Sequence, residues 1–287
     1  MNRKLFNGYI ELTKPSIMVL ILVATSLGFY FGERGIHHPW LLFYTLIGAG
    51  LTCAGSGALN HYMERDSDAL MNRTRNRPIP TGLILPADAL GFGILLILIG
   101  LIVLCIKVNL LTAFLSLLTA FLYILVYTPM KKLSWLNTTI GAIPGALPTM
   151  GGWAAARGDL GIEAWVLFFI LFAWQHPHFY AIAWMFKEDY KKAGFKMLPV
   201  VYPDSWFTLA QIMAFTCALV GFSIIPTMIG MSGKIYFWGA LLLGLGFLWY
   251  AWEFQRTPSN LTARKILLAS VAYLPLLLVL IIIDHVL

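Results

Sequence analysis

Residues 40–80 read WLLFYTLIGAGLTCAGSGALNHYMERDSDALMNRTRNRPIP, an apolar segment followed directly by acids and then by arginines. The apolar part is long enough to enter a membrane as a helix. Asn60, Glu64 and Asp68 stand four residues apart, so a helix that continues through the acids places their side chains along one face. The stretch therefore predicts a transmembrane helix whose polar end carries a stripe of oxygen ligands.

The composition extends this prediction to the whole chain. Of the 287 residues, 59% are hydrophobic and 11% are charged, which is too few charges to cover a soluble surface. We therefore expect an all-α, polytopic membrane bundle that forms a single domain over residues 1–287. A hydropathy window of about 19 residues predicts about nine spans. They are residues 10–32, 40–62, 87–106, 109–127, 138–156, 163–185, 206–230, 235–252 and 265–283.

The basic residues predict how these spans are oriented. When the amino terminus and every second loop are assigned to one side, that side receives all but four of the 20 basic residues. The four on the other side are Arg34, Lys107, Arg157 and Lys234. By the positive-inside rule, the amino terminus and the basic loops are expected in the cytoplasm and the carboxyl terminus outside the cytoplasmic membrane. This distribution accounts for the net charge of +7 without a nucleic-acid partner.

The loops after the second and sixth spans resemble each other. The first segment, residues 64–80, reads ERDSDALMNRTRNRPIP, and the second segment, residues 187–199, reads KEDYKKAGFKMLP. Each passes from acids to bases and ends near proline. We interpret the two as a degenerate internal repeat, and we expect them to face each other over one cavity if the bundle closes into a ring.

The acids and bases of the first segment suit a diphosphate at a membrane surface. Mg²⁺ usually binds through one or two carboxylates and substrate phosphate oxygens, and guanidinium groups bind phosphate in bidentate fashion. The alternative is a solvated helix end beside an arginine loop that sets topology or contacts lipid headgroups. Asn60 and Glu64 continue the apolar helix, however, and polar groups at that depth are costly unless they face a cavity or a partner.

These residues resemble the UbiA superfamily of intramembrane prenyltransferases. The first acidic motif of that superfamily reads NDxxDxxxD, which Asn60, Glu64 and Asp68 match with two departures, His61 and Glu64. The departures are similar to the branch of the superfamily that farnesylates haem B. So are LTKP at residues 12–15, WQHPHFYAIAW at 174–184 and KEDYKKAG at 187–194. The resemblance covers nearly the whole chain.

The resemblance implies transfer of the farnesyl group of farnesyl diphosphate to a vinyl group of haem B, with addition of water and with Mg²⁺ as cofactor. It also implies roles for matching residues. The ligands of Mg²⁺ and diphosphate are Asn60, Glu64, Asp68 and Asp189; the cations near the leaving group are Arg73, Arg77, Lys131 and Lys192; the residues near the acceptor are Tyr127, His176 and His178. Asp189 has an alternative role, which is to orient Lys192, because the second segment carries fewer acids than its counterpart in the superfamily. The implied partners are the two substrates and membrane lipid, with a downstream haem A synthase or terminal oxidase assembly as a candidate.

Two of these assignments have ordinary structural alternatives. Tyr127 and Lys131 form a YxxxK pattern, which is also typical of an interfacial tyrosine beside a topogenic lysine. His176 and His178 flank Pro177 within a span, where an ionisable residue is a functional candidate by default. Such histidines also occur as hydrogen-bonded residues at a proline kink.

Three other functions stay open. A prenyltransferase acting on a quinone precursor or on chlorophyllide would share the fold and the metal chemistry, and the HPH segment and Glu64 favour haem over these acceptors. A cation-coupled transporter would more often place its acids near the bilayer midplane in paired inverted repeats. A structural haem-binding subunit would keep the histidines without needing Arg73 and Arg77.

Overall fold

The computed structural model describes residues 3–203 and 206–286, and within these ranges the chain is helical with no β-strand. The α-helices of these ranges are α1 Arg3–Leu12, α2 Pro15–Glu33, α3 Pro39–Asp68, α4 Pro86–Lys107, α5 Leu110–Phe121, α6 Thr128–Leu133, α7 Asn137–Arg157, α8 Ile162–Met185, α9 Lys187–Lys192, α10 Leu198–Val201, α11 Trp206–Met228, α12 Lys234–Arg256 and α13 Asn260–Val286. A π-helical segment, Leu122–Tyr127, joins α5 to α6. The prediction of an all-α bundle is confirmed.

Among the described residues, eight helical stretches are long and apolar enough to cross a membrane. They are α2, α3, α4, the continuous stretch Leu110–Leu133, α8, α11, α12 and most of α13. The remaining predicted span, residues 138–156, corresponds to α7, whose many Gly, Pro and Ala residues keep it below the hydropathy of the others. The chain is therefore an integral membrane protein. Its described residues form these eight stretches and α7, which is the least apolar of the nine by its window hydropathy.

The small residues of α7 have a packing role. A Cβ atom at Gly28 of α2 would lie 1.9 Å from the carbonyl oxygen of Thr149, and one at Gly152 would lie 1.9 Å from that of Thr25. The backbones of α2 and α7 are thus in direct contact, which only glycine permits at these two positions. α7 also packs against α8 and is buried along most of its length, so it lies inside the bundle.

The long helices form two groups that meet at α7. In the amino-terminal group, α3 packs between α2 and α4, and α5 packs between α4 and α7. In the carboxyl-terminal group, α8 contacts α11 and α13, and α12 contacts these same two helices. The largest cluster of buried apolar side chains extends from α7 through this second group. The polar end of α3 therefore lies in the first group, close to where both groups join.

The first predicted span, residues 10–32, was wrong at its start. α1 ends at Leu12 and α2 begins at Pro15, with Lys14 between them at φ 51°. A residue before proline is disfavoured in the α-helical region, whereas proline itself suits the first position of a helix. The chain therefore turns at Lys14, and its side chain points away from the path that one continuous helix would have taken.

Candidate active site

α3 continues six residues beyond the predicted span 40–62 and ends at Asp68. Asn60, Glu64 and Asp68 therefore all lie on this one helix, as predicted. Asn60 and Asp68 are fully buried, and Glu64 is 6% exposed. Buried carboxylates are stable only when cations or hydrogen-bond donors compensate them. Each side chain of the stripe has such a partner, and each partner comes from a different part of the chain.

Glu64 is paired with Lys131. The Nζ atom of Lys131 donates to Oε1 of Glu64 at 2.6 Å, and both side chains are largely buried. The same Nζ atom lies 4.6 Å from the ring centroid of Tyr127 and 5.6 Å from that of Phe195. The YxxxK pattern therefore brings its lysine to the acid stripe while its tyrosine covers one side of the ammonium group.

Asp68 is paired with Arg77 of the first segment. The Nη1 atom of Arg77 donates to both carboxylate oxygens of Asp68, at 2.8 and 2.7 Å, and Thr74 Oγ1 donates to the Asp68 carbonyl oxygen at 2.9 Å. The loop after α3 thus folds back over the end of the helix. Arg73 and Arg75 remain exposed on the outer side of this loop.

Asn60 is held by a residue that the sequence did not single out as a site residue. Lys14 donates through Nζ to Asn60 Oδ1 and, at 3.2 Å, to the hydroxyl of Tyr123, while Asn60 Nδ2 donates to Thr128 Oγ1 at 2.9 Å. Burial lowers the pKa of Lys14 to about 7, an effect that the negative charge of Glu64 partly opposes. The available signal was the LTKP motif, which places a lysine where an apolar span begins. Nothing in the sequence indicates Tyr123 or Thr128.

The second segment meets the first one, as the internal repeat predicts. Asn72 Nδ2 donates to Asp189 Oδ1 at 3.5 Å, and Arg73 Nη2 donates to the Tyr190 hydroxyl at 3.3 Å. The Asp189 carboxylate also lies 3.9 Å from Lys192 Nζ, whose side chain is 56% exposed. Asp189 and Tyr190 therefore contact the outer loop of the first segment, and Lys192 contacts Asp189 on its own helix. These bonds do not involve the buried acids of α3.

The two histidines of α8 have different surroundings. His176 is fully buried, with Nδ1 2.8 Å from the Phe172 carbonyl oxygen, Nε2 3.2 Å from Thr139 Oγ1 and its ring stacked on Phe215. His178 is less buried, with Nδ1 2.8 Å from Ser270 Oγ and its ring stacked on Trp174 at 4.8 Å. Both nitrogens of His176 are engaged within the bundle, whereas Nε2 of His178 is left as a candidate contact to a ligand.

The oxygen atoms of α3 suit a metal ion that is shared with a substrate. Among the described residues, no group of three or more His, Cys, Asp and Glu side chains is arranged to hold a metal ion. Asn60, Glu64 and Asp68 provide one amide oxygen and two carboxylates, and Mg²⁺ commonly completes such a sparse set with phosphate oxygens. These residues therefore fit Mg²⁺ bound together with a diphosphate.

Curated relatives match this chain over almost its full length. The protoheme IX farnesyltransferase of Solibacter usitatus is 47% identical over 287 residues, which is 96% of this chain and 98% of that protein. The protoheme IX farnesyltransferase of Salinibacter ruber is 42% identical, again over 96% of this chain and 98% of that protein.

Solved structures share the fold at low sequence identity. A structure of digeranylgeranylglyceryl phosphate synthase in membranes aligns with a TM-score of 0.84 at 17% identity, over 99% of both chains. The structure of a UbiA homologue from Archaeoglobus fulgidus bound to DMAPP and Mg²⁺ aligns with a TM-score of 0.72 at 19% identity, over 96% of this chain and 99% of that one. Residues 21–277 match the UbiA prenyltransferase family. With its intramembrane bundle and its buried acid stripe, the chain therefore belongs to the UbiA prenyltransferase family.

Proposed function

We propose that this protein transfers the farnesyl group of farnesyl diphosphate to a vinyl group of haem B, with addition of water, to give haem O and diphosphate. The observation that carries the proposal is the buried cluster on α3, in which two carboxylates meet cations at the polar end of a membrane bundle. Relatives that are 42% and 47% identical bear the name protoheme IX farnesyltransferase, which supports haem as the acceptor.

The proposed reaction breaks one carbon–oxygen bond and forms one carbon–carbon bond. The electron pair of the broken allylic bond leaves with the diphosphate, and the vinyl π electrons of haem attack the farnesyl cation. Water then adds to the other vinyl carbon and loses a proton. Because the leaving group gains charge, fixed cations in a dry site stabilise the transition state. Lys131 and Arg77, which contact the two carboxylates, would take this role, with Arg73 as a further cation at the outer edge.

In this proposal Asn60, Glu64 and Asp68 hold Mg²⁺ together with the diphosphate. The metal ion supplies neutralisation of the phosphate charge that develops as the bond breaks. Asp189 and Lys192 of the second segment would lie at the edge of the site, where they add one acid and one cation for binding Mg²⁺ and diphosphate. The Mg²⁺-bound structure of a UbiA homologue supports a divalent metal in this fold.

The acceptor side of the proposed site is formed by aromatic and histidine side chains. The rings of Tyr123 and Tyr127 stack at 5.7 Å, and Tyr127 packs so closely on α7 that a Cβ atom at Gly141 would lie 2.5 Å from it. Electron-rich ring faces stabilise a nearby cation, which suits an allylic intermediate. We assign the haem contact to His178 in preference to His176, because both nitrogens of His176 are already engaged.

The proposed orientation follows the basic residues. The amino terminus and both segments would face the cytoplasm, with the carboxyl terminus outside the cytoplasmic membrane, as the positive-inside rule requires. A haem A synthase or a terminal oxidase assembly would then receive the product from the membrane. Orientation is measured by labelling single cysteines introduced at positions 75 and 158 from each side of sealed vesicles.

The test of the proposal is chemical identification of the product. Purified protein is given haem B, farnesyl diphosphate and Mg²⁺, and the haem fraction is analysed by mass spectrometry for the added farnesyl group and water. A parallel reaction offers a quinone precursor as acceptor. Farnesylation of the quinone precursor alone would reject haem as the acceptor, and loss of product on chelation, restored by added Mg²⁺, is expected. In a separate binding assay, His178→Ala is expected to weaken haem binding, whereas wild-type affinity would reject that contact.

A further inference from the structure

His61 lies inside the charged cluster but has a nitrogen with no hydrogen-bond partner. The residue is 2% exposed, and its Nδ1 atom is buried without a partner among the described residues. A buried polar atom that is left unpaired destabilises the folded state. Folded proteins therefore rarely retain such an atom unless it binds something else.

The position of His61 on α3 directs it toward the acid stripe. His61 precedes Asp68 by seven residues, which is close to two helical turns, so both side chains lie on one face. Lys14 donates to Asn60, the residue before His61, and Arg77 donates to Asp68 on the helix face that His61 shares. The unpaired nitrogen thus belongs to a stretch of α3 that two cations contact, and such positive charge favours an anionic ligand.

Other unpaired atoms of the structure do not share this setting. Four more buried side-chain oxygens lack a partner within the described residues, and they belong to Thr112, Tyr180, Thr208 and Tyr236. All four are hydroxyl groups on helices other than α3, namely α5, α8, α11 and α12. His61 is therefore the one member of this set that combines an unpaired atom with a place in the charged cluster.

We propose that His61 donates a hydrogen bond from Nδ1 to a phosphate oxygen of the bound diphosphate. This inference rests on the proposed function and adds a substrate contact to it. A neutral imidazole with its proton on Nδ1 makes such a bond without any change of charge. The contact would hold the diphosphate against α3 on the side of Asp68, between the cations of Lys14 and Arg77.

The experiment compares three variants that keep or remove the hydrogen-bonding atom at different positions. In His61→Asn the amide nitrogen takes the place of Nδ1, in His61→Gln it takes the place of Nε2, and His61→Leu removes both. The readout is binding of inorganic diphosphate in the presence of Mg²⁺, measured by calorimetry on purified protein. We expect affinity to fall about tenfold or more in His61→Leu and His61→Gln, and to stay within about threefold of wild type in His61→Asn.

A matched control deletes an unpaired buried atom elsewhere. Tyr236→Phe removes the unpaired hydroxyl of α12 and is expected to leave diphosphate affinity unchanged. Thermal unfolding of each variant identifies any that fail to fold. If His61→Leu does not fold, the comparison of His61→Asn with His61→Gln still tests the contact. Equal affinity in wild type, His61→Asn and His61→Gln would overturn the contact.

The same measurement separates this inference from the proposed function. Diphosphate binding that depends on His61, in a protein that does not farnesylate haem, would support the contact and reject the acceptor. If the wild type farnesylates haem and all three His61 variants bind diphosphate as tightly as the wild type does, the contact is rejected and the proposed reaction stands. A wild-type protein that binds no diphosphate would overturn both.

Discussion

The first and second segments have similar sequences but very different surroundings. In the first, Glu64 and Asp68 are buried and hold cations at 2.6–2.8 Å. In the second, the Asp189 carboxylate is 3.9 Å from an exposed Lys192. The difference arises because Lys131 reaches the first segment from α6, whereas Asp189 pairs with a residue of its own short helix. A charge becomes part of a site when distant elements enclose it, and composition alone does not show this.

Glu64→Gln tests the comparison of the two segments at the buried Glu64–Lys131 pair, where we expect the largest effect. We expect haem farnesylation to fall by about 100-fold or more, because the change removes a proposed metal ligand and leaves Lys131 with a buried, unpaired charge. Turnover is measured at saturating substrates, with thermal unfolding as the check on folding. As a control, Glu253→Gln breaks a more exposed ion pair, with Lys265, and is expected to change the rate by less than about threefold. Similar rates of haem farnesylation in Glu64→Gln and Glu253→Gln would contradict the distinction between the buried pair and the more exposed one.

Arg77→Gln asks whether the cation that folds back on α3 is needed. Its Nη1 atom bonds both oxygens of Asp68, so we expect turnover to fall by about 10-fold to 100-fold when the charge is removed. The neighbouring exposed residue gives a matched control, since Arg75→Gln is expected to stay within about threefold of wild type. Steady-state rates of both variants decide the outcome. An equal loss in both would show that net charge, and not position, matters.

Arg73→Gln probes the contact between the two segments. Arg73 donates to the Tyr190 hydroxyl and lies 5.3 Å from the ring centroid of Phe186. Because these contacts are exposed, we expect a loss of only about threefold to tenfold, seen mainly as a higher KM for farnesyl diphosphate. The comparison is with Tyr190→Phe, which removes the same hydrogen bond from the other side. A large effect of Arg73→Gln with none from Tyr190→Phe would place Arg73 against the phosphate itself.

Lys192→Gln is expected to have the smallest effect. Its side chain is 56% exposed and its ammonium group is only loosely paired, so a change of about twofold is expected in either kcat or KM. Lys191→Gln, also on α9 and exposed, serves as the control. A loss comparable to that of Arg77→Gln would mean that the second segment closes over the substrate, and the contrast between the segments would then apply only to the unliganded protein.

The sequence predicts the helical paths well because each depends on local hydropathy and spacing. Even residues 138–156, rich in Gly and Pro, form α7 as predicted. The contribution of Lys14 was not predictable, because it depends on a contact to Asn60 that is 46 residues away and on a turn at Pro15. The π-helical segment has no sequence signature either. α6 then continues the predicted span 109–127 to Leu133 and carries Lys131, which reaches Glu64.

The backbone contact between α2 and α7 limits how substrates reach the interior. Near Gly28 and Gly152 the two helices approach so closely that a single added methyl group would meet a carbonyl oxygen at 1.9 Å. A prenyl chain or a porphyrin is far wider than a methyl group, so neither passes from the bilayer between these helices. Any access from the lipid therefore has to take place elsewhere than at this contact of α2 with α7.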